Sequence, residues 1–117
     1  DEWAMKHAAL VLEKAQVLGI FPEGTRSKDH SLRTAKTGAA RLAIAAQCPI
    51  VPLAVTGTQY IFQRGMRRAR VEIRVGSPIL PQTEDSALGL TDTVMFALAE
   101  MLPSKMRGAY AIHPAGF

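Results

Sequence analysis

The sequence predicts an α/β fold, a mixed and mostly parallel sheet flanked by helices. Two observations predict it. Helical and strand-like segments alternate along the chain, in the order helix, strand, helix, strand, strand, helix. The strand-like segments are short apolar runs beside Pro, Gly or Ser, which is typical of strands buried between helices. Because a strand that returns through a helix usually lies parallel to the strand before it, we expect mostly parallel neighbours.

The first half of the chain contains three predicted elements and one loop. Residues 3–16 are Ala-rich, carry apolar side chains at helical spacing and lack Pro and Gly, so they predict a helix. The apolar run Val17–Phe21, which stops at Pro22, predicts a buried strand. Residues 22–34 bring Pro, Gly, Thr, Ser and charged residues together in close order and predict a loop. The Ala-rich stretch 35–47 predicts a second helix with one face of small side chains.

Two further strands are predicted in the second half. Ile50–Val55 is apolar and contains Pro52, which we expect at a bulge or where a ladder donor would face outward. Residues 57–69 predict a loop. Residues 70–75 alternate charged and apolar side chains, which predicts a half-buried strand, and Gly76–Pro78 predicts a turn.

The last predicted element is a helix over residues 92–102. Its apolar side chains recur on one face, Thr91 or Asp92 is the expected N-cap, and Pro103 ends it. Residues 107–117 show no periodicity and predict a tail. Since the chain begins inside a helix with no preceding cap, we expect it to be part of a longer α/β domain.

Composition excludes several classes of protein. With 48% apolar and 21% charged residues, the chain is too apolar to be a disordered segment. A single cysteine, Cys48, cannot form an internal disulfide and favours a reducing compartment. No apolar run approaches the roughly 18 residues of a membrane-spanning helix, and the N-terminus lacks the features of a signal peptide. We therefore expect a soluble chain with one modest core.

Positive charge is concentrated in the middle of the chain. Residues 24–74 carry ten basic and two acidic residues, a net charge of +8, whereas residues 1–23 and 75–117 each carry two basic and four acidic residues. Such a field favours an anionic partner, either a phosphorylated small molecule, an anionic lipid surface or nucleic acid.

The strongest local signal follows the first predicted strand. Gly24 allows a ligand to approach the main chain, Arg26 offers a planar fork of donors that suits a phosphate, and Thr25 and Ser27 add hydroxyls. Lys36 adds a charge near the start of the next helix, whose free N–H groups can point at the same anion. We expect a phosphate site. The alternative is a polar turn in which Glu23 simply pairs with Arg26.

Three ordered segments then carry a family resemblance. They are FPEGTRS at 21–27, KTGAARLA at 36–43 and PIVPLAV at 49–55. Together they resemble the glycerolipid acyltransferase family, which includes the 1-acyl-glycerol-3-phosphate (lysophosphatidate) acyltransferases. The likeness spans about residues 17–57 and continues more weakly through 71–78.

The resemblance implies a domain organisation and an activity. Residues 1–106 would be the C-terminal part of one acyltransferase-like α/β domain, and residues 107–117 a tail. The parent protein would transfer an acyl chain from acyl-CoA or acyl carrier protein to 1-acyl-glycerol-3-phosphate in phospholipid biosynthesis. It would work at the cytoplasmic side of the membrane, where its acceptor lies, and the resemblance implies no cofactor.

The resemblance also implies roles for seven residues. The acceptor-binding residues would be Glu23, Gly24, Thr25, Arg26 and Lys36, with Pro22 and Pro52 as structural residues at the site. Arg26 would bind the acceptor's phosphate, and Lys36 would be a second ligand. Glu23 and Gly24 would shape the loop, with Glu23 bracing either Arg26 or a catalytic histidine.

One feature of the family is missing from the sequence. The family has a His-x4-Asp motif, in which His is the general base and Asp orients it. None of the three histidines, His7, His30 and His113, is followed by an Asp at that spacing. We expect the motif upstream of Asp1, so that this chain holds the phosphate-binding part, has no catalytic residue of its own and is inactive alone.

Alternatives to an enzyme fragment remain open at this stage. The chain could be a non-catalytic module that binds a phosphate or an anionic lipid, or an α/β scaffold without a site. Scattered histidines and one cysteine give no metal-ligand spacing, so we expect no metal.

A basic run in the second half suggests a further partner. Its members are Arg64, Arg67, Arg68, Arg70 and Arg74. These arginines either form a solvated surface or attract the protein to an anionic membrane. Nucleic acid fits poorly, because only 6% of residues are aromatic. We also expect self-association through an exposed sheet edge, since upstream strands would be missing.

Overall fold

The computed structural model describes residues 2–61 and 68–114. Its regular elements are α1 (Glu2–Glu13), α2 (Gly38–Ala46), β1 (Leu53–Thr56), β2 (Glu72–Val75) and α3 (Ala87–Glu100), with 3-10 turns at Thr58–Tyr60, Ser104–Met106 and Gly108–Tyr110. The mixture of helices and strands confirms the coarse α/β prediction. In this part of the chain, no helix is both long enough and apolar enough to cross a bilayer.

The core lies around α3, which packs against α2. Seven residues of α3 are buried, and Met95 has no exposed surface at all. From α2, Ala40 and Ala43 reach the same core, which fits the predicted face of small side chains. Since most helical stability comes from burying such a face, α3 supplies most of the buried core residues, while α1 packs against α2.

The last helix begins earlier than predicted. Neither Thr91 nor Asp92 is its N-cap: Ser86 is, because its side-chain oxygen accepts a hydrogen bond from the Gly89 N–H at 3.0 Å. Thr91 is instead buried inside the helix, where its hydroxyl donates to the Ala87 carbonyl at 2.7 Å. Gly89 lowers the helix propensity of this stretch, which explains why the sequence pattern located the start too late.

The sheet differs from the mostly parallel sheet predicted. The described residues form one two-stranded sheet, in which β1 and β2 are antiparallel, with Leu53 opposite Val75 and Val55 opposite Ile73. A parallel pair needs a crossover, usually through a helix. Between β1 and β2 the described chain has only a 3-10 turn, so β2 returns alongside β1 in the opposite direction.

The predicted burial of two apolar segments is wrong. Val17–Phe21 forms no strand, and the side chains of Val17 and Phe21 are 96% and 90% exposed. A strand needs a hydrogen-bonded neighbour, and no described strand pairs with this segment. In β2, Ile73 and Val75 are exposed rather than half-buried, because no described element covers that face of the sheet.

Pro52 immediately precedes β1 and is buried. It contributes only an acceptor, since its carbonyl receives a hydrogen bond from the Gly76 N–H at 2.8 Å. This bond continues the β1–β2 pairing to the turn after β2. Pro52 therefore lies at the sheet end, where a missing N–H removes no ladder bond between the two strands.

The segment after α3 packs back onto the core. Two consecutive 3-10 turns bring Tyr110 against Phe96 of α3, with ring centroids 5.2 Å apart and the rings nearly perpendicular. Tyr110 is only 7% exposed. Although residues 107–117 have no sequence periodicity, their described beginning is part of the packed structure.

We expect Met95→Ala to lower the free energy of unfolding by about 2–5 kcal/mol, because it leaves a cavity at a fully buried position. Chemical denaturation measures this. Leu88→Ala on the same helix is the control: Leu88 is 65% exposed, so its change should stay within about 0.5 kcal/mol. Equal losses in both variants would contradict the described core.

Candidate functional site

The predicted site residues, except Pro52, lie on one irregular segment, residues 22–37, which we call the 22–37 loop. It connects the exposed Val17–Phe21 segment to α2. Two hydrogen bonds close it. The Lys36 N–H donates to the Pro22 carbonyl at 2.9 Å, and the Arg33 N–H donates to the Glu23 carboxylate at 2.9 Å. The ends of the loop are therefore held together without any strand or helix inside it.

Glu23 contacts the backbone, not a cation. Its Oε2 accepts the Arg33 N–H, and within residues 2–61 and 68–114 the one ion pair joins Arg74 to Glu72. The alternative in which Glu23 simply pairs with Arg26 is thus wrong for this structure. A carboxylate bonded to a main-chain donor ten residues away shapes the loop and leaves the Arg26 guanidinium uncommitted.

Gly24 and Lys36 are brought into contact. Gly24 has a left-handed backbone with φ +71°, which a residue with a Cβ rarely adopts. A Cβ placed there would lie 3.1 Å from Cδ and Cε of Lys36 and 3.2 Å from its Nζ. The Lys36 side chain therefore runs directly over the Gly24 backbone, and its ammonium group lies beside the glycine.

Arg26 and Thr25 are both exposed. No hydrogen bond or ion pair joins either side chain to another residue in the described part of the chain. Their donors face water and are available to a ligand. At the start of α2, the N-cap Thr37 makes no side-chain capping bond, so its leading amides have no side-chain partner from that residue.

A cavity of about 440 Å³ lies beside the loop rather than at Arg26. Its lining residues are Ser27, Lys28, Asp29, Ser31, Leu32, Arg33, Gly108 and Ala109. None of the five predicted acceptor-binding residues lines it. The structure therefore joins Gly24 to Lys36 and closes the loop through Glu23, but it does not bring Arg26 into this concavity. Pro22 supports the loop through its carbonyl, whereas Pro52 makes no described hydrogen bond to it.

Sequence reasoning missed a polar cluster in the loop. The hydroxyls of Ser27 and Ser31 each donate to Oδ1 of Asp29 at 2.7 Å, and the Ser31 N–H donates to the same oxygen at 3.2 Å. These hydrogen bonds lower the pKa of Asp29 from 3.8 to about 2, and the Ser31 hydroxyl contributes most, followed by the Ser27 hydroxyl. The Ser-x-Asp-x-Ser spacing was the signal, since such side chains bond locally in turns.

No group of three or more His, Cys, Asp or Glu in the described residues could hold a metal ion. The exposed side chains of the 22–37 loop include hydroxyls, two guanidinium groups, two ammonium groups and the imidazole of His30. The cations and hydroxyls of this set can bind and orient an anion.

Comparisons with known proteins agree on one family. The model of the Acyltransferase family matches residues 1–56. The 1-acyl-sn-glycerol-3-phosphate acyltransferase of Limnanthes douglasii is 44% identical over 68 residues, covering 57% of this chain and 24% of that protein. The mouse 1-acyl-sn-glycerol-3-phosphate acyltransferase alpha is 34% identical over 85 residues, 68% of this chain and 30% of that protein.

The coconut 1-acyl-sn-glycerol-3-phosphate acyltransferase is 38% identical over 81 residues, 67% of this chain and 26% of that protein. The chain thus spans between 24% and 30% of the length of these relatives. No solved structure gives a significant match.

We expect Gly24→Ala to lower the free energy of unfolding by about 1–2 kcal/mol, because it forces a Cβ into the left-handed region. Denaturant titration measures this. Gly19→Ala is the matched control, since nothing lies within 4 Å of its Cβ position and its φ is not positive. If Gly24→Ala were as well tolerated as Gly19→Ala, the described loop conformation would be wrong.

The Asp29 cluster predicts a pH dependence. Because the folded-state pKa is lowered to about 2 from 3.8, the bonds to Asp29 are complete above 3.8 and are lost as pH falls through about 2. The Ser31 amide resonance should titrate with that low midpoint, and Asp29→Asn should abolish the titration. A midpoint near the ordinary value would show that the cluster does not form.

Proposed function

Because this chain belongs to the glycerolipid acyltransferase family, we propose that its 22–37 loop binds the phosphate of a glycerol-phosphate acceptor. The whole protein would transfer an acyl chain from acyl-CoA or acyl carrier protein to 1-acyl-glycerol-3-phosphate in phospholipid biosynthesis. The names of the matched relatives support this acceptor.

The observation that carries the proposal is the uncommitted Arg26 on a loop closed by other residues. Its guanidinium is exposed, and the nearby carboxylates have their own partners: Glu23 binds the Arg33 amide, and Asp29 binds two serine hydroxyls. A planar guanidinium fits a phosphate with two parallel hydrogen bonds. Phosphate would therefore not have to displace an internal ion pair at Arg26.

Lys36 supports the same assignment. Its ammonium group lies beside Gly24, two residues before Arg26. A compact ammonium charge complements a guanidinium in holding a phosphate dianion. Thr25, exposed between Gly24 and Arg26, would add a hydroxyl donor.

The chemical step needs a general base, which in the family is the His of the His-x4-Asp motif. In acyl transfer the acceptor hydroxyl loses its proton as its oxygen bonds to the thioester carbonyl carbon, and the thiolate leaves as the C–S bond breaks. None of the three histidines has the Asp spacing of the family motif. We therefore assign acceptor binding to this chain and proton abstraction to residues outside it.

An anionic membrane surface is the second proposed partner, at the cytoplasmic side. Arg68 and Arg70 are exposed, which supports it. Arg74 contributes less, since it pairs with Glu72 and donates to the Met101 carbonyl. Arg64 and Arg67 lie outside the described residues. Each basic residue near an anionic leaflet contributes about 1 kcal/mol to binding.

The exposed apolar segments support a larger, mostly parallel sheet in the whole protein. In the whole protein, Val17–Phe21 would join a mostly parallel sheet, and residues 1–106 would form the C-terminal part of one domain. When no further strand or helix covers the β1–β2 sheet, its exposed apolar side chains support self-association of the chain. These side chains are Leu53, Val55, Ile73 and Val75.

We expect Arg26→Ala to weaken binding of glycerol 3-phosphate by about 10- to 100-fold, the loss of a charge-assisted contact. Isothermal titration or NMR titration of the 117-residue chain measures the Kd. Arg70→Ala removes the same charge from an exposed position outside the loop and should change the Kd less than about twofold. Equal weakening by both variants would mean non-specific charge attraction, and no effect of Arg26→Ala would reject the assignment.

A further inference from the structure

The described beginning of the C-terminal segment is bonded directly to the 22–37 loop. We call residues 104–110 the C-terminal turn. The Leu32 N–H donates to the Met106 carbonyl at 2.9 Å, and the Ala109 N–H donates to the Leu32 carbonyl at 3.0 Å. The Ala35 N–H donates to the Tyr110 hydroxyl oxygen at 2.9 Å. Three hydrogen bonds therefore join parts of the chain separated by more than 70 residues.

Gly108 allows this close approach. Its φ is +51°, and a Cβ built there would lie 2.1 Å from the Leu32 carbonyl oxygen and 2.9 Å from the Leu32 nitrogen. No other residue type fits at such a separation without moving one of the two segments. The C-terminal turn therefore contacts the loop closely at one position of each segment, Gly108 in the turn and Leu32 in the loop.

Tyr110 links the loop to the core. Its ring is buried against Phe96 of α3, and its hydroxyl reaches the Ala35 amide. Ala35 precedes Lys36, whose N–H closes the loop on Pro22 and whose side chain lies over Gly24. A continuous chain of contacts runs from α3 through Tyr110 to the residues proposed to bind phosphate.

We infer that Tyr110 is a positioning residue for the phosphate-binding loop, acting through its hydroxyl on Ala35 and so on Lys36. The inference rests on the proposed function for the phosphate ligand, whereas the hydrogen bond between Ala35 and Tyr110 is observed independently of it. The ring supplies packing energy, whereas the hydroxyl supplies only the bond to the loop. Removing the hydroxyl therefore separates positioning from core stability.

The test is Tyr110→Phe, which keeps the ring and deletes the bond. Tyr60→Phe is the matched control, because Tyr60 is exposed and its hydroxyl has no hydrogen-bond partner in the described residues. Two quantities are measured well below the melting temperature: amide hydrogen exchange at Ala35 and Lys36 without ligand, and the Kd for glycerol 3-phosphate. Gly108→Ala provides a second, independent disruption of the same contact.

We expect Tyr110→Phe to speed exchange at Ala35 and Lys36 and to raise the Kd about three- to tenfold, the effect of one net hydrogen bond. Tyr60→Phe should change neither. Unchanged exchange in Tyr110→Phe would overturn the inference, as would faster exchange with an unchanged Kd while Arg26→Ala still weakens binding. If the wild-type chain did not bind the probe, the proposed function would fail and the positioning role with it. Faster exchange in Tyr110→Phe would then still identify the contact as real.

Discussion

The candidate site depends on the closure of one irregular loop by two hydrogen bonds from main-chain amides. Residues 22–37 have no helix or strand of their own to hold their shape. The Pro22 carbonyl and the Glu23 carboxylate accept amides from the far end of the loop. This closure brings the Lys36 side chain over Gly24, two residues before Arg26. Neither Lys36 nor Arg26 pairs with a carboxylate in the described part of the chain.

The two carboxylates of the loop bind hydroxyl and amide groups rather than basic side chains. Asp29 accepts the hydroxyls of Ser27 and Ser31 and forms no ion pair with a cation of the described residues. These bonds lower the pKa of Asp29 to about 2, so its carboxylate persists to lower pH than an ordinary aspartate. Residues 24–74 carry ten basic and two acidic residues, so the region is strongly positive even with Asp29 ionised. This charge suits an anionic acceptor.

Local patterns predicted the helices well and the sheet poorly, for a physical reason. α1 and α2 follow from helix propensity and spacing within the segment, and the glycine and proline positions predicted the loop. A strand depends on what lies beside it, and Val17–Phe21 has no described neighbour. The contact of Gly108 and Tyr110 with the loop could not be predicted, because no sequence periodicity reports a bond between distant segments.

The central claim is that phosphate binds at the 22–37 loop. The most direct test is an NMR titration of the isotope-labelled chain with glycerol 3-phosphate, read at every assigned backbone amide. If phosphate binds there, the largest, saturable shifts will occur at Gly24 to Ser27 and at the amides from Lys36 into the start of α2. Shifts confined to Arg68–Arg74, or none within the loop, would contradict it.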